Sequence, residues 1–532
     1  MLIFRWLLFS ACIFTALVFC KNMPVRSVSA QENAASAQGN TVKFGDSSKQ
    51  ETSKAESSKT DSPKPEAVSK DVSSDADDST KQKEEEVSAG DLLSELKESP
   101  PSENTGSDQA YSLISGRKTG DTDKVEVVLE AVGDVNQFLE DQESNSNKME
   151  VLAGFRYDER TDLFSPQPGS PLKSTRYYDA ARAKIQVGDQ YNLSELDAGR
   201  KLIVCDIDKN TTLYSPKGSL KDDQLLLIED LPANTLLLDH LLPNRDGVKI
   251  GDKWNVPEKA LTSLLGLEVI EKHDIQAVLT SVTDHVALVE LNGTAEGASL
   301  GAASTMEVKA KFQFDLKTRR ITWLGLVIQE DRSLGNVGPA VTLVAKLMIK
   351  IQPDKISDKL TREAAESIDK KPSEEQLKLC YDSEEKGGWR FLHGRDWYVI
   401  FDAKGSTKLR LLHHGELISQ CDIAQMGKIA DSKSLSTPES FQEDLKKGLG
   451  ASFGKVVSLD MGKTKKGNRE LKAVIEGKAG DLPLVWTYYL LTKPDGTQAI
   501  VAFVVQKDNL EKFDGIDREI IDSLEMYSPK EK

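Results

Sequence analysis

The chain of 532 residues has little of what usually announces a function. Cysteine is scarce, at five residues, and two of these, Cys12 and Cys20, fall in the apolar N-terminal stretch. The remaining three, Cys205, Cys380 and Cys421, are an odd number, which excludes a disulfide scaffold and leaves at least one free thiol. Cys380 and Cys421 share one region and are open either to pairing or to burial as free thiols. Aromatic residues make up only 6% of the chain, so part of it is not expected to fold. A basic excess is missing too. Lys and Arg number 69 against 85 Asp and Glu, a net charge of −16, which excludes a protein built to grip nucleic-acid phosphates. With 38% hydrophobic residues and a mean hydropathy of −0.41, a polytopic membrane protein is excluded as well. No G-x-S-x-G elbow, H-E-x-x-H, C-x-x-C or phosphate-cradling glycine loop occurs. No cofactor, metal site or catalytic residue is therefore assigned.

What is present starts with an export signal. Arg5 supplies a short basic region, and Trp6 to Cys20 is an uncharged apolar stretch of about 15 residues, right for a signal peptide and short for a membrane span. Val28-Ser29-Ala30 offers small residues for cleavage before Gln31. Lys21 and Arg26 place positive charge after the apolar run, which keeps an uncleaved anchor as the alternative. From Gln31 to about Gly120 the chain is Ser, Lys, Glu, Asp, Ala and Pro. Such a segment buries too little apolar surface to offset the entropy of ordering, so a disordered, acidic tail is expected. The localisation that follows is secreted or periplasmic.

From about Asp121 to Pro353 period-2 alternation dominates. Met306, Val308, Ala310, Phe312, Phe314 and Leu316 share one face, with Glu307, Lys309, Lys311, Gln313 and Asp315 on the other. A second strand, Ile321 to Glu330, carries Trp323. Further strands are expected at Val125–Val132, Met149–Tyr157, Thr175–Val187, Lys201–Asp206, Ile275–Ser281, Val286–Leu291 and Val341–Ile351. Two helices interrupt them. One is capped by Ser219 and runs through Leu225–Ile228. The other follows Pro257, carries Ala260, Leu261, Leu264 and Leu265, and ends at Gly266. An antiparallel meander with helices laid in it makes a half-barrel, a shape able to hold an apolar ligand. Phe312, Phe314, Trp323, Leu261, Leu264 and Leu265 are the candidate lining of such a cavity. The same side chains plugging the core is the plainer alternative.

Other features of this region carry less. Asp206-Ile207-Asp208-Lys209-Asn210 imitates the start of a calcium loop, but Thr211 replaces the turn glycine and Lys217 the closing glutamate, so no calcium is expected. Asn192, Asn210 and Asn292 lie in glycosylation sequons. Ala295–Gly301 is rich in small residues and reads as a hairpin loop. Val248-Lys249-Ile250-Gly251-Asp252-Lys253-Trp254 weakly resembles a segment of uncharacterised exported bacterial β-rich, lipoprotein-like domains. Physically it is a tight Gly-Asp turn with a tryptophan anchor.

A charged connector over 354–378, with a short helix near Leu360–Ile368, leads to the C-terminal region, 379–528. Strands are expected over Trp389–Phe401, Lys408–Leu412 and Leu417–Gln425, the last two flanking a turn at His413-His414-Gly415. Thr437 caps a helix through Phe441, Leu445 and Leu449. The strands Lys455–Met461, Glu470–Glu476, Leu484–Leu491 and Gln498–Val505 follow, then a closing helix over Phe513–Leu524. In this order, Trp397-Tyr398-Val399, the Leu417–Cys421 strand, Phe441–Leu445, Trp486–Leu491 and Asp517–Leu524 resemble the PsbP-like family. That resemblance implies an α/β/α sandwich whose members mostly bind partners or support assemblies; no functional residue is carried over. The six histidines suggest no ion site, since the adjacent His413 and His414 point apart on a strand. Lys463–Arg469 is a basic hairpin tip, read as a solvated turn.

The expected fold class is α+β: a β-rich, half-barrel-like domain (121–353), then a PsbP-like α/β/α sandwich (379–528), after a signal peptide (1–30) and a disordered tail (31–120). The expected function is a non-enzymatic binding or assembly module of the cell envelope, whose partner is a protein or envelope component and not nucleic acid. Membrane contact is expected only if the N-terminal segment stays uncleaved. A carrier of a lipid or another apolar small molecule is the rival, and a hydrolase with an unmarked site a weaker one.

Overall fold

The computed structural model describes residues 109–527, apart from 139–143, 209–210, 230–234, 300, 364–367, 369–370, 384–386 and 431–434. The expected signal peptide at 1–30, most of the acidic tail at 31–120, residues 364–367 of the expected Leu360–Ile368 helix and the sequon at Asn210 lie outside the described residues.

The alternating segments form one large sheet. Its first arm comprises β1 (Thr122–Phe138), β2 (Ser144–Leu163), β3 (Leu172–Val187), β4 (Gln190–Glu195), β5 (Leu202–Ile207) and β6 (Thr211–Tyr214). The chain then leaves through β7 (Leu220–Lys221), α1 (Asp222–Glu229) and α2 (Thr235–Leu238). The second arm comprises β8 (Lys253–Asn255), α3 (Glu258–Leu265), β9 (Val269–His273), β10 (Gln276–Thr283), β11 (Val286–Ser299), β12 (Ala302–Asp315), β13 (Arg320–Arg332) and β14 (Ala340–Gln352). The strand order is β6-β5-β3-β2-β1-β14-β13-β12-β11-β10-β8, with β4 added beside β3 and β9 beside β11. Two meanders therefore meet along a single seam, β1 against β14, in register from Lys124↔Gln352 to Asn136↔Ala340.

Side-chain period decides which face is buried. Along β12 every second residue from Ala302 to Phe314 is buried and every residue between is exposed. Both arms feed one apolar core, which also takes Leu225 and Ile228 from α1, Leu236 and Leu238 from α2, and Leu261 and Leu264 from α3. Gly266, at φ 65° in the left-handed region, ends α3 as expected. Two local expectations change. β11 runs on to Ser299 and β12 starts at Ala302, so Ala295–Ser299 is strand and not loop. Leu220–Lys221 is a strand, and α1 starts only at Asp222.

The C-terminal region contains α4 (Glu374–Leu377), β15 (Leu379–Ser383), β16 (Trp389–His393), β17 (Trp397–Ala403), β18 (Ser406–His413) and β19 (Glu416–Met426). After α5 (Pro438–Leu449) come β20 (Phe453–Lys463), β21 (Arg469–Ala479), β22 (Leu482–Thr492), β23 (Gln498–Gln506), α6 (Leu510–Phe513), α7 (Ile516–Ser523) and β24 (Glu525–Met526). A seven-stranded sheet runs β17-β18-β19-β23-β22-β21-β20, and a four-stranded one β24-β16-β15-β7. In α5, Thr437 and Ser440 cap each other's backbone, Pro438 opens the first turn, and Phe441, Leu445 and Leu449 pack on Leu471, Ile475 and Trp486.

The α+β class with a PsbP-like α/β/α sandwich is overturned here. Antiparallel strand dominates the described residues, and the second face of the seven-stranded sheet is not closed by a helical layer. Tyr381, Trp389, Phe391 and Met526, all from the small sheet, cover it together with two short helices. Gly515, at φ 76°, separates the α6 and α7 pieces of what the sequence reads as one closing helix. No described helix is long and apolar enough to cross a membrane.

The two regions share structure. β7 pairs parallel with β15, Leu379↔Leu220 and Cys380↔Lys221. The turns at Gly301 and Gly415 touch so closely that a Cβ on Gly301 would lie 2.6 Å from the Gly415 carbonyl oxygen. Tyr398, Ile400 and Leu417 pack against the core of the large sheet.

Candidate functional site

The residues proposed to line a cavity separate into two groups. Phe312, Phe314, Leu261, Leu264 and Leu265 are at most 2% exposed and belong to one continuous core. Trp323 does not join them. Trp323 pairs with the outward-facing Gln313, in step with Phe312↔Leu324, so ordinary alternation sets the indole on the opposite, half-buried face beside Lys350, and a bulge beyond it brings Ile321 to the core side opposite Phe314. The three cysteines are buried and free, so the Cys380–Cys421 pairing does not form.

Charged residues at the inward parity of the strands form the principal polar feature of the large sheet. Arg117 donates to Asp123 at 2.9 Å and to Asp239 at 2.7 Å. Arg320 donates to the same Asp123 oxygen, Oδ2, and, at 3.4 Å, to Asp121. Arg176 donates to Glu159 at 2.7 Å, and the hydroxyls of Ser174 and Thr235 donate to the same carboxylate. Three guanidiniums thus face Asp123, Glu159 and Asp239, almost wholly out of water. Burial alone would lower the Arg117 pKa, but Asp239 and Asp123 more than offset it and hold the group above its ordinary value. The network ties the segment before β1, through Arg117, to β1, β2, β3, β13 and the turn after α2. Asp123 Oδ1, Asp239 Oδ1 and Arg320 Nε have no partner among the described residues, so even this network leaves some polar atoms unsatisfied. Sequence reading missed it because its members are dispersed. The signal was nevertheless there: the buried period that includes Val125 and Val127 lands on Asp123, and that of Phe155 and Tyr157 lands on Glu159.

A second cluster sits where the two regions join. His393 is fully buried; its Nε2 lies 3.1 Å from Asp222 and its Nδ1 2.8 Å from the Gly394 carbonyl. Burial pushes the imidazole pKa down, but Asp222 more than compensates, leaving it above the ordinary histidine value. Asp223, next along α1, is pushed up to about 6 by burial and by the neighbouring Asp222. Arg395 donates to the carbonyls of Leu377 and Leu213, and Ser219 to that of Glu375, so the junction is hydrogen-bonded on both sides. His413 and His414 remain in their turn, away from this pair in the chain and with their rings in contact. Among the described residues no group of three or more His, Cys, Asp or Glu side chains is arranged to hold a metal ion.

The C-terminal region carries an open cleft of about 260 Å³ between Lys378, the 463–469 hairpin and α7. Its charges neutralise one another: Lys378 with Glu519, Lys465 with Asp522, and Arg518 with Glu470 at 2.8 Å. The basic hairpin is therefore folded onto acidic α7 residues and onto Glu525, not held out as a free cationic tip. Ser523 Oγ, the hydroxyl in the cleft, is engaged with the backbone of Leu392, Glu519 and Ile520. No histidine or carboxylate is hydrogen-bonded to it, so it has no general base.

The segment Val248–Trp254 behaves as its composition requires. Gly251 adopts φ 92°, Asp252 accepts from the Lys249 amide at 3.1 Å, and the Trp254 indole donates to the Leu241 carbonyl at 2.9 Å.

No known protein family matches the chain, and no curated protein does. Among solved structures, one from Bacteroides thetaiotaomicron is similar at 15% identity, over 28% of this chain and 49% of that one, with a TM-score of 0.21. A structure concerned with lipid–protein interactions in lipovitellin is similar at 9% identity over 46% and 26% of the two chains, with a TM-score of 0.27. Pseudomonas aeruginosa OccK1 (OpdK) aligns over 73% and 98% at 10% identity, with a TM-score of 0.11. The chain spans about half of the first of these and about a quarter of the second. At such scores neither fold nor function is transferred from them.

Proposed function

We propose that this chain is an exported, non-enzymatic binding or assembly module of the cell envelope, whose partner is a protein or another envelope component. The observation that carries this reading is the burial of Phe312, Phe314, Leu261, Leu264 and Leu265 in one core. A carrier would keep such side chains around a space for its cargo; here they pack on one another. The chemistry of the polar clusters supports the same reading, because their charges are used in joining elements and not in presenting a nucleophile with its base. The N-terminal sequence supports export.

Native mass spectrometry of the chain, purified without detergent from an export-competent host, tests it. The expected result is the bare polypeptide mass, followed by capture of a protein or envelope partner in a pull-down. A reproducible added mass that leaves on denaturation would overturn the reading in favour of the lipid carrier and would identify the cargo.

A further inference from the structure

The outer face of the large sheet is not uniform. Over β11–β13 it is charged and internally paired, Lys311 with Glu290 at 3.1 Å and Lys309 with Glu307 at 2.7 Å. Over β4, β3, β2, β1 and β14 it is different. Tyr191 and Leu193 on β4 are 65% and 68% exposed, Val132 on β1 is 57% exposed, and Leu152 on β2 and Val344 on β14 are exposed as well. The registers make these neighbours. One row across the strands reads Leu193, Lys184, Leu152, Glu130, Lys346, and the next reads Tyr191, Gln186, Glu150, Val132, Val344. Scattered exposed apolar residues need no explanation, but two neighbouring pairs, Tyr191–Leu193 and Val132–Val344, with Leu152 between them on one sheet face, mark a contact surface.

The charges set within the group say what it contacts. Glu130, Glu150 and Lys346 make no ion pair among the described residues, and Lys184 lies over the Tyr191 ring at 5.7 Å. Two carboxylates inside the patch oppose docking on a lipid surface, which would strip them of water and, if anionic, repel them. Equal numbers of both signs suit a surface that meets itself. The first row is ordered for that purpose: Lys184 and Glu130 stand on either side of Leu152, one strand away in each direction. A two-fold axis along β2 at Leu152 lays Leu152 on its own copy and brings each Lys184 onto Glu130 of the second copy.

We propose that this face joins two copies of the chain, sheet against sheet, with the Lys184–Glu130 crossing fixing the register. Facing sheets pack about 10 Å apart, close enough for Leu152, Leu193, Val132 and Val344 to be covered. The same axis sets Glu150 against its own copy, a repulsion that limits the affinity.

Sedimentation velocity of the exported, detergent-free full chain over a concentration series reads this directly. The expected result is a dimer that dissociates on dilution. Lys184→Glu creates like-charge crossings and is expected to raise the dissociation constant at least about tenfold. Lys184→Glu combined with Glu130→Lys is expected to restore the dimer, and Glu150→Gln to tighten it. All these positions are on the solvated face, and an unchanged near-ultraviolet circular dichroism spectrum shows that the core is intact. A monomer at every concentration, a dimer indifferent to Lys184→Glu, or failure of the double exchange to restore association overturns the proposal. A monomer that co-sediments with phosphatidylcholine–phosphatidylglycerol vesicles assigns the face to a membrane and overturns it too.

Discussion

Asp123→Ala probes the ionic network at its centre. Asp123 is wholly buried between Arg117 and Arg320. Removing it leaves three guanidiniums facing two carboxylates, with Arg320 retaining only the partly exposed Asp121 and Arg117 retaining Asp239. Leaving a buried charge uncompensated costs about 3–5 kcal/mol. The retained partners place the expected loss near the lower end, about 3 kcal/mol. Urea unfolding followed by tryptophan fluorescence reads this as a midpoint shift of roughly 1 M at a slope of about 3 kcal/mol per M. Replacing the pair together, Asp123→Leu with Arg320→Met, removes the stranded charge as well, and is expected to cost less than Asp123→Ala alone. The reasoning is refuted if Asp123→Ala costs under about 1 kcal/mol, since the cluster would then be reached by water, or if the double replacement costs more than the single one.

Three further outcomes are expected. At the junction, His393 has a raised pKa, so the stability it contributes is complete below about pH 6.5 and is lost as pH rises through its folded value. Asp223, raised to about 6, acts in the same direction between about pH 4 and pH 6, so Asp223→Asn should flatten that part of the difference in Tm against pH. Phe312→Ala should cost about 3–5 kcal/mol in equilibrium unfolding, whereas Trp323→Ala on the opposite, half-buried face should cost clearly less. Equal losses would show that the two rings share one core after all. Thr437→Ala, which removes the cap of α5, should lower stability by about 1 kcal/mol, measurable as a drop in Tm of the C-terminal transition.

Much of the strand layout was legible because the burial period is so regular. Met306 to Phe314 could be assigned face by face, and the left-handed residues His414 and Gly415 sit at the turn expected of them. The capping of α5 was equally readable, from Thr437, Pro438 and Gly450. What failed depended on single-residue offsets or on distant partners. One bulge opposite Gln313 and Phe314 puts Ile321 and Trp323 on opposite faces, and no composition signal marks such a slip. β7 is two residues long and exists because β15, far along the chain, offers it a partner. The sandwich expected for the C-terminal region failed because helical segments were given the role that β15, β16 and β24 perform. The ionic network looked like ordinary charge because Arg117, Glu159, Asp239 and Arg320 are separate in sequence; only the inward parity of Asp123 and Glu159 on their strands marks it.

The seam between β1 and β14 has a consequence for the order in which the molecule can be made. β1 lies inside the finished sheet, yet when it leaves the ribosome only β2 is about to follow. Its other edge stays open until β14 has been synthesised, after every other strand of both arms. For that interval the nascent chain exposes a seventeen-residue strand with one row of unpaired amides and carbonyls. A chain of this design gains from a holding factor during synthesis, and truncation anywhere before Ala340 would leave the first arm open along its β1 edge.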